Sequence, residues 1–312
     1  MRISPTTKGT LCLFLTAVIW GLAFVAQRVG ADYLGPFTFN GARFALGGLS
    51  LIPLIFIFER KSVYNGAQKR RAYTLGLGGG FILFAASSLQ QFGVQITGSA
   101  GKSGFITGLY TVLVPIIGVF LGKKTSLLTW LGAVLAVAGL YFLSVLGGNS
   151  GTGAAAGFGP GDVLLIIGAV FWAFHILFVD FSTAGGIAPL RFSATQFLVC
   201  SALSMASALV FEDVRLPGVL NAYVPLLYGG LASVGVAYTL QIFGQRYVEP
   251  ARAAIIFSLE TLFAAVGGAL LLGERMRPPG YLGCALIFAG IIASQVSGMG
   301  RRGKAGERNG IV

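Results

Sequence analysis

Charge is what this sequence lacks most. Asp, Glu, Lys and Arg make up only 10% of its 312 residues, where an ordinary soluble domain carries about 25%. With 55% hydrophobic residues and a mean hydropathy of +0.82, the composition is that of a membrane protein. Acidic side chains are scarcest, 10 against 22 Lys and Arg, which leaves little material for a catalytic or metal-binding constellation. There is 1 His, and the 3 Cys (Cys12, Cys200 and Cys284) lie inside apolar runs. Without a Cys-x-x-Cys or Cys/His spacing, a disulfide framework and a zinc site are both disfavoured, and no motif calls for a metal or cofactor. The net charge of +12 would point to nucleic acid in a soluble protein. Here the basic residues sit between long apolar runs and read as membrane orientation.

A membrane-spanning helix needs about 20 mostly apolar residues. Ten such segments are present, at 9–28, 36–58, 72–94, 102–121, 127–146, 160–181, 189–210, 221–243, 251–272 and 279–297. The first follows Arg2 and Lys8 like a signal peptide, but no small-residue cleavage site ends it and further spans follow, so it reads as a retained helix. Basic clusters lie between spans two and three (Arg60, Lys61, Lys69, Arg70, Arg71), between four and five (Lys123, Lys124), and in the tail 298–312 (Arg301, Arg302, Lys304, Arg308). With both termini cytoplasmic all three clusters fall inside, as the positive-inside rule requires. The uncharged Gly-rich stretch 147–159 then becomes an external linker, and Arg28, Lys102, Arg215, Arg275 and Arg277 fall outside.

The chain repeats itself. "AVIW" ending at Trp20 returns as "AVFW" ending at Trp172, 152 positions on. "LQQFGVQ" from Leu89 returns as "LQIFGQR" from Leu240, and "WLGAVLAVAG" from Trp130 as "YLGCALIFAG" from Tyr281, both 151 positions on. A constant offset along most of each half marks an internal repeat, with copies at 9–146 and 160–297. Five helices per copy means that the second copy enters the membrane from the opposite side. The expected fold is all-α and membrane-embedded: ten transmembrane helices as two inverted five-helix repeats. In secondary transporters of that design, substrate binds near the midplane where the copies meet.

Several stretches resemble the EamA domains of the drug/metabolite transporter superfamily. They are "AVIWGLAFVAQRVG", "GPFTFNGARFALGGLSLIPL", "TGSAGKSGFITGLYTVLVPIIGVFLGKK" with "TWLGAVLAVAGLYFL", and "EPARAAIIFSLETLFAAVGGALLLGE" with "GYLGCALIFAGIIAS". The resemblance covers nearly the whole chain outside the loops and tail. It implies a multi-pass exporter of small metabolites in the bacterial plasma membrane. With the polar residues it also implies one central cavity enclosed by helices one to four and six to nine, with five and ten at the periphery. It does not specify the substrate, since members carry amino acids, nucleotides, sugars, drugs and other metabolites.

"GSAGKSG" (Gly98 to Gly104) has the look of a phosphate-binding loop, but that pattern needs a Gly five residues before Gly101, where Ile96 stands. It reads as a tight turn that leaves Lys102 at a water-facing helix start, where it can attract an anionic group at the cavity mouth. Pro53, Pro115 and Pro225 remove backbone donors in or near spans and can kink them. Asp162 and Asp180 flank the sixth span with no evident partner.

Polar groups at membrane depth are costly and usually face the bundle interior or a wet cavity. Glu260 is the one ionisable side chain from Ala253 to Leu272, about 13 Å in from Ala251 at 1.5 Å per residue. Arg43 lies about 10 Å beyond Pro36. Arg43 either pairs with Glu260 or snorkels to the outer face; Glu260 either couples or is a hydrogen-bonded structural group. A carboxylate at that place can hold its proton in apolar surroundings and release it on meeting water or a cation, which would make protons the coupling ion. His175 is either a bonded core residue or a proton relay. Gln90, Gln91 and Gln95 with Gln241 and Gln245, Gln90 matching Gln241 in the repeat, can bind substrate or join helices. Trp20, Trp172, Tyr110 and Tyr238 can line a cavity or pack; Tyr110 and Thr261 stand in matched neighbourhoods.

The expected function is a secondary exporter of small amphipathic metabolites, amino acids or related compounds, working by alternating access through that cavity, as a monomer or homodimer in the lipid bilayer. The alternative is a membrane-embedded flippase or enzyme acting on lipid-linked substrates. No nucleotide-binding domain is evident, so an ion or substrate gradient would supply the energy.

Overall fold

The computed structural model describes residues 4–59, 64–98, 100–142, 146, 159–272 and 278–308. The Gly-rich linker up to residue 158, Arg60, Lys61, Arg275, Arg277 and the last four residues of the basic tail lie outside them. Ten main helices follow one another: α1 (Pro5–Gly30), α2 (Pro36–Glu59), α3 (Gly66–Thr97), α4 (Ala100–Phe120), α5 (Leu127–Tyr141), α6 (Pro160–Ala184), α7 (Pro189–Phe211), α8 (Tyr223–Gln245), α9 (Pro250–Leu271) and α10 (Pro278–Ser294, continuing helically to Arg308). All but α5 and α10 are long and apolar enough to cross a membrane; those two are shorter apolar helices. Among the described residues there is no strand.

The helix starts follow from the sequence. Proline opens α1, α2, α6, α7, α9 and α10, where its missing N–H has no partner to lose. Asn65 and Gln68 form a capping box on α3, and Ser126 accepts from Thr129 N at the start of α5. Two prolines precede wider turns. After Pro53, α2 passes into a π-helical turn at Ile55–Glu59, and after Pro225, α8 runs as a π-helix from Tyr228 to Tyr238. Pro115 stays within regular α-helix.

The helix pairs match under exchange of the two halves. α2 packs on α7, α4 on α9 and α5 on α10, each on its own counterpart. α3 on α6 is matched by α8 on α1, α3 on α7 by α8 on α2, and α4 on α6 by α9 on α1. The α5–α10 contact depends on small residues. A Cβ on Gly132 would stand 2.6 Å from Gly290 O, and one on Gly290 2.6 Å from Gly132 O. No side chain larger than hydrogen fits without parting the helices.

The α2–α7 pair carries a reciprocal pair of carboxylate caps. Glu212, following α7, accepts from Phe37 N (2.7 Å), Thr38 N (2.8 Å) and Thr38 Oγ1 (2.7 Å) at the start of α2. Glu59, ending α2, accepts from Leu190 N (2.8 Å) at the start of α7 and forms an ion pair with Arg191 (3.3 Å). Each carboxylate meets unpaired N–H groups and the positive end of the partner's dipole. The clamp therefore holds both ends of the pair. Glu212→Ala is expected to lower the thermal stability of the detergent-solubilised protein by about 2 kcal/mol, with Glu212→Gln losing less. An unchanged melting curve for Glu212→Ala would remove the cap from this account.

Candidate functional site

α4 and α9, the pair at the centre of the exchange, are both interrupted. Helical turns stop at Thr107 and resume at Tyr110; in α9 they stop at Phe257 and resume at Leu259. Gly108 is a weak helix former, and Ser258 turns its hydroxyl back onto Ile255 O at 2.6 Å. The broken helices exchange matching bonds: Thr111 Oγ1 donates to Ala254 O at 3.3 Å, and Thr261 Oγ1 to Gly104 O at 3.2 Å. Thr261 stands 150 positions after Thr111, and Ala254 150 after Gly104. On that count Glu260 is the counterpart of Tyr110, one position from the sequence match of Tyr110 with Thr261. The two counterparts touch: the Tyr110 hydroxyl donates to Glu260 Oε1 at 2.9 Å.

Beside this contact lies a cavity of about 30 Å³. α1 supplies Trp20 and Gln27, α2 Arg43, α3 Gln90, and α4 Thr107 and Tyr110. α6 supplies Trp172, α8 supplies Ser233, Tyr238 and Gln241, and α9 supplies Glu260. α5 and α10 contribute no lining residue and pack on each other, α4 and α9; α7, expected among the enclosing helices, contributes none either, because it packs behind the wall on α2 and α3.

The two charged residues share the cavity without an ion pair between them. Arg43 is 2% exposed and Glu260 4%, so Arg43 does not snorkel to a membrane face. Its Nε donates to Asn40 Oδ1 at 2.9 Å, and its guanidinium carbon sits 4.9 Å from the Phe44 ring centre, a cation–π distance. Its Nη2 has no hydrogen-bond partner. Neither amide atom of Gln241 has a partner, and the same holds for Trp172 Nε1 and Thr107 Oγ1. Gln90 differs from its repeat counterpart Gln241, because its Nε2 donates to Gln27 Oε1 at 2.9 Å. Tyr238 stands 4.7 Å from Trp20 and 6.1 Å from Trp172, ring centre to ring centre. The π-helical part of α8 leaves carbonyls for α1: Trp20 Nε1 donates to Ser233 O at 3.4 Å, and Thr16 Oγ1 to Ala237 O at 3.0 Å.

Five sequence candidates stand apart from the lining: Gln91, whose Nε2 donates to Gln27 O at 3.2 Å, Gln245, whose Nε2 donates to Ile176 O at 2.9 Å, Gln95, His175 and Lys102. His175 is fully buried behind the wall, with Nε2 3.1 Å from Gln196 Oε1 and its ring edge-on to Trp172 and Tyr238. Lys102 is not poised at an open mouth: its Nζ donates to Asp162 Oδ2 at 2.8 Å and ties α4 to α6. Asp162 and Asp180, without evident partners in sequence, pair with Lys102 and Lys123. Both pairs cross between helices, which sequence spacing does not reveal. Among the described residues no three His, Cys, Asp or Glu side chains gather as a metal site.

The profile of the EamA-like transporter family matches this chain over residues 7–145 and 159–294. The chain belongs to the EamA-like transporter family. An uncharacterized transporter of Archaeoglobus fulgidus is 29% identical over 90% of this chain and 84% of its own. YoaV, an uncharacterized transporter of Bacillus subtilis, is 23% identical over 91% and 95%, and YedA, an uncharacterized inner membrane transporter of Escherichia coli K12, 23% over 90% and 88%. A solved crystal structure shares the fold with a TM-score of 0.74 at 20% identity, covering 94% of this chain and 98% of that one. With its apolar helices, this EamA-like chain is a multi-pass membrane transporter.

Three polar lining residues of this EamA-like transporter are not singled out by the sequence: Gln27, Thr107 and Ser233. Gln27 had a signal. Trp20, Ala23, Phe24 and Gln27 all line the cavity and follow the i, i+3, i+4, i+7 spacing of one helix face. Thr107 and Ser233 had none, because small hydroxyls in spans commonly bond their own helix.

Proposed function

We propose that this transporter exports small amphipathic metabolites bearing both charges, amino acids or close relatives, by alternating access through the central cavity. One observation carries the reading: Arg43, with an unpartnered Nη2, and Glu260 line one cavity without pairing with each other. A buried polar group without a partner costs about 1–3 kcal/mol, more when charged. A carboxylate at Arg43 Nη2 would recover that cost, and an ammonium would meet Glu260 as its counter-charge. Gln241 adds a free donor and acceptor, and Trp20, Trp172 and Tyr238 offer a surface for an apolar side chain.

The cavity measures about 30 Å³, well below the few hundred cubic ångström of an ordinary small-molecule site, so a metabolite enters only if helices part. The interrupted helices α4 and α9 and the π-helical α8 supply places to yield, as discontinuous helices do in transporters. Protons are the coupling ion in this reading, carried by Glu260. The basic loops support both termini in the cytoplasm of a bacterial plasma membrane.

Counterflow in proteoliposomes tests the reading. Labelled neutral amino acids are expected to exchange, while their N-acetyl and amide derivatives, each lacking one charge, compete at least about tenfold less well. Equal competition by both derivatives would defeat the two-charge reading, and movement of labelled lipid instead would favour a flippase.

A further inference from the structure

A second cavity, of about 220 Å³, lies at the far end of α4, where that helix meets α6 and the start of α9. Its rim is charged: Lys123 and Lys124 follow α4, Asp180 stands on α6 and Glu249 precedes α9. The turn after α4 fixes this rim. Gly122 takes φ 76, Gly122 N bonds Val119 O and Lys123 N bonds Gly118 O, the Schellman ending that reverses the chain. Lys123 is thereby brought to Asp180, and the two form an ion pair across the rim.

The deep wall is formed by Val114 of α4 and Leu177 of α6. One turn from Val114 stands Tyr110, and next to Leu177 stands Ile176, both lining the central cavity. Four residues of helix span about 6 Å, so successive turns of α4 and neighbouring residues of α6 line the two spaces. The α4–α6 seam is held at its other end by Lys102 and Asp162. Each end of the seam thus carries one Lys–Asp pair, with the central cavity between them.

We propose that the 220 Å³ cavity is the entrance vestibule on the cytoplasmic face, and that the Lys123–Asp180 pair closes it. Two ammonium and two carboxylate groups at its rim match a zwitterionic metabolite on its way to Arg43 and Glu260. The proposal rests on the export reading above.

The test uses the full chain with Cys12, Cys200 and Cys284 replaced by Ser and a reporter Val114→Cys. A membrane-impermeant maleimide is applied to inverted vesicles and to right-side-out vesicles. Labelling is expected from the cytoplasmic face only, and about fivefold faster in Asp180→Asn, the size of effect a partly exposed ion pair can exert. The charge-swapped double variant K123D/D180K should restore the slow rate, which separates gating from misfolding. Labelling from the outer face, or a rate that Asp180→Asn leaves unchanged, would overturn the proposal. Cytoplasmic, Asp180-sensitive labelling that no amino acid slows would support the vestibule and count instead against the two-charge substrate.

Discussion

Glu260→Gln is expected to insert and fold like the parent protein yet lose gradient-driven transport by about a hundredfold or more, the scale of removing one partner from a buried charge pair. The fold should survive because the Tyr110 hydroxyl, 2.9 Å from Glu260 Oε1, can donate equally to an amide oxygen. The new amide can neither take up a proton nor meet an ammonium as a counter-charge, so the pH dependence of transport should flatten. Glu260→Asp, which keeps the charge on a shorter stem, should retain part of the activity. Wild-type rates with an unchanged pH profile in Glu260→Gln would make the residue structural, a role that its bond to Tyr110 alone could fill. The search for coupling would then move to His175 and the glutamines.

Arg43→Met should separate stability from function. Arg43 is buried against Phe39 and Phe44 with one guanidinium nitrogen unpartnered. Replacing a poorly compensated buried charge by an apolar chain of similar length is often neutral or stabilising. The melting temperature is therefore expected to hold or rise. Transport of carboxylate-bearing substrates should fall by about thirtyfold or more, since truncating one partner of a buried charged contact costs about 2–5 kcal/mol. Amino-acid amides should compete relatively better than in the parent. Arg43→Lys keeps the charge but not the fork, and should fall between. A protein that melts much earlier while transporting normally would reverse the assignment and make Arg43 a packing residue.

Ten helices, their places and the repeat were legible because each rests on local or periodic information. A span announces itself by about 20 apolar residues, and a duplication by a constant offset. Depth alone marked Glu260 and Arg43, since an ionisable group that far into an apolar run must face something other than lipid. Eight of the residues singled out in sequence line one cavity; Gln91, Gln95, Gln245, His175 and Lys102 do not. Which of them pair was decided by the tertiary structure. Arg43 and Glu260 lie at similar depths but do not meet as an ion pair; Glu260 meets Tyr110 instead, 150 residues away. Lys102 is held by Asp162 across 60 residues. Glu212 caps α2 from 175 residues beyond Phe37. The interruptions of α4 and α9 and the π-helical course of α8 likewise leave no periodicity to read. The physical reason is the same in each case: hydrophobic length determines that a helix crosses the membrane, whereas the faces that meet are set by close packing between helices distant in the chain, and a hydrogen bond forms only where that packing brings donor and acceptor within about 3 Å.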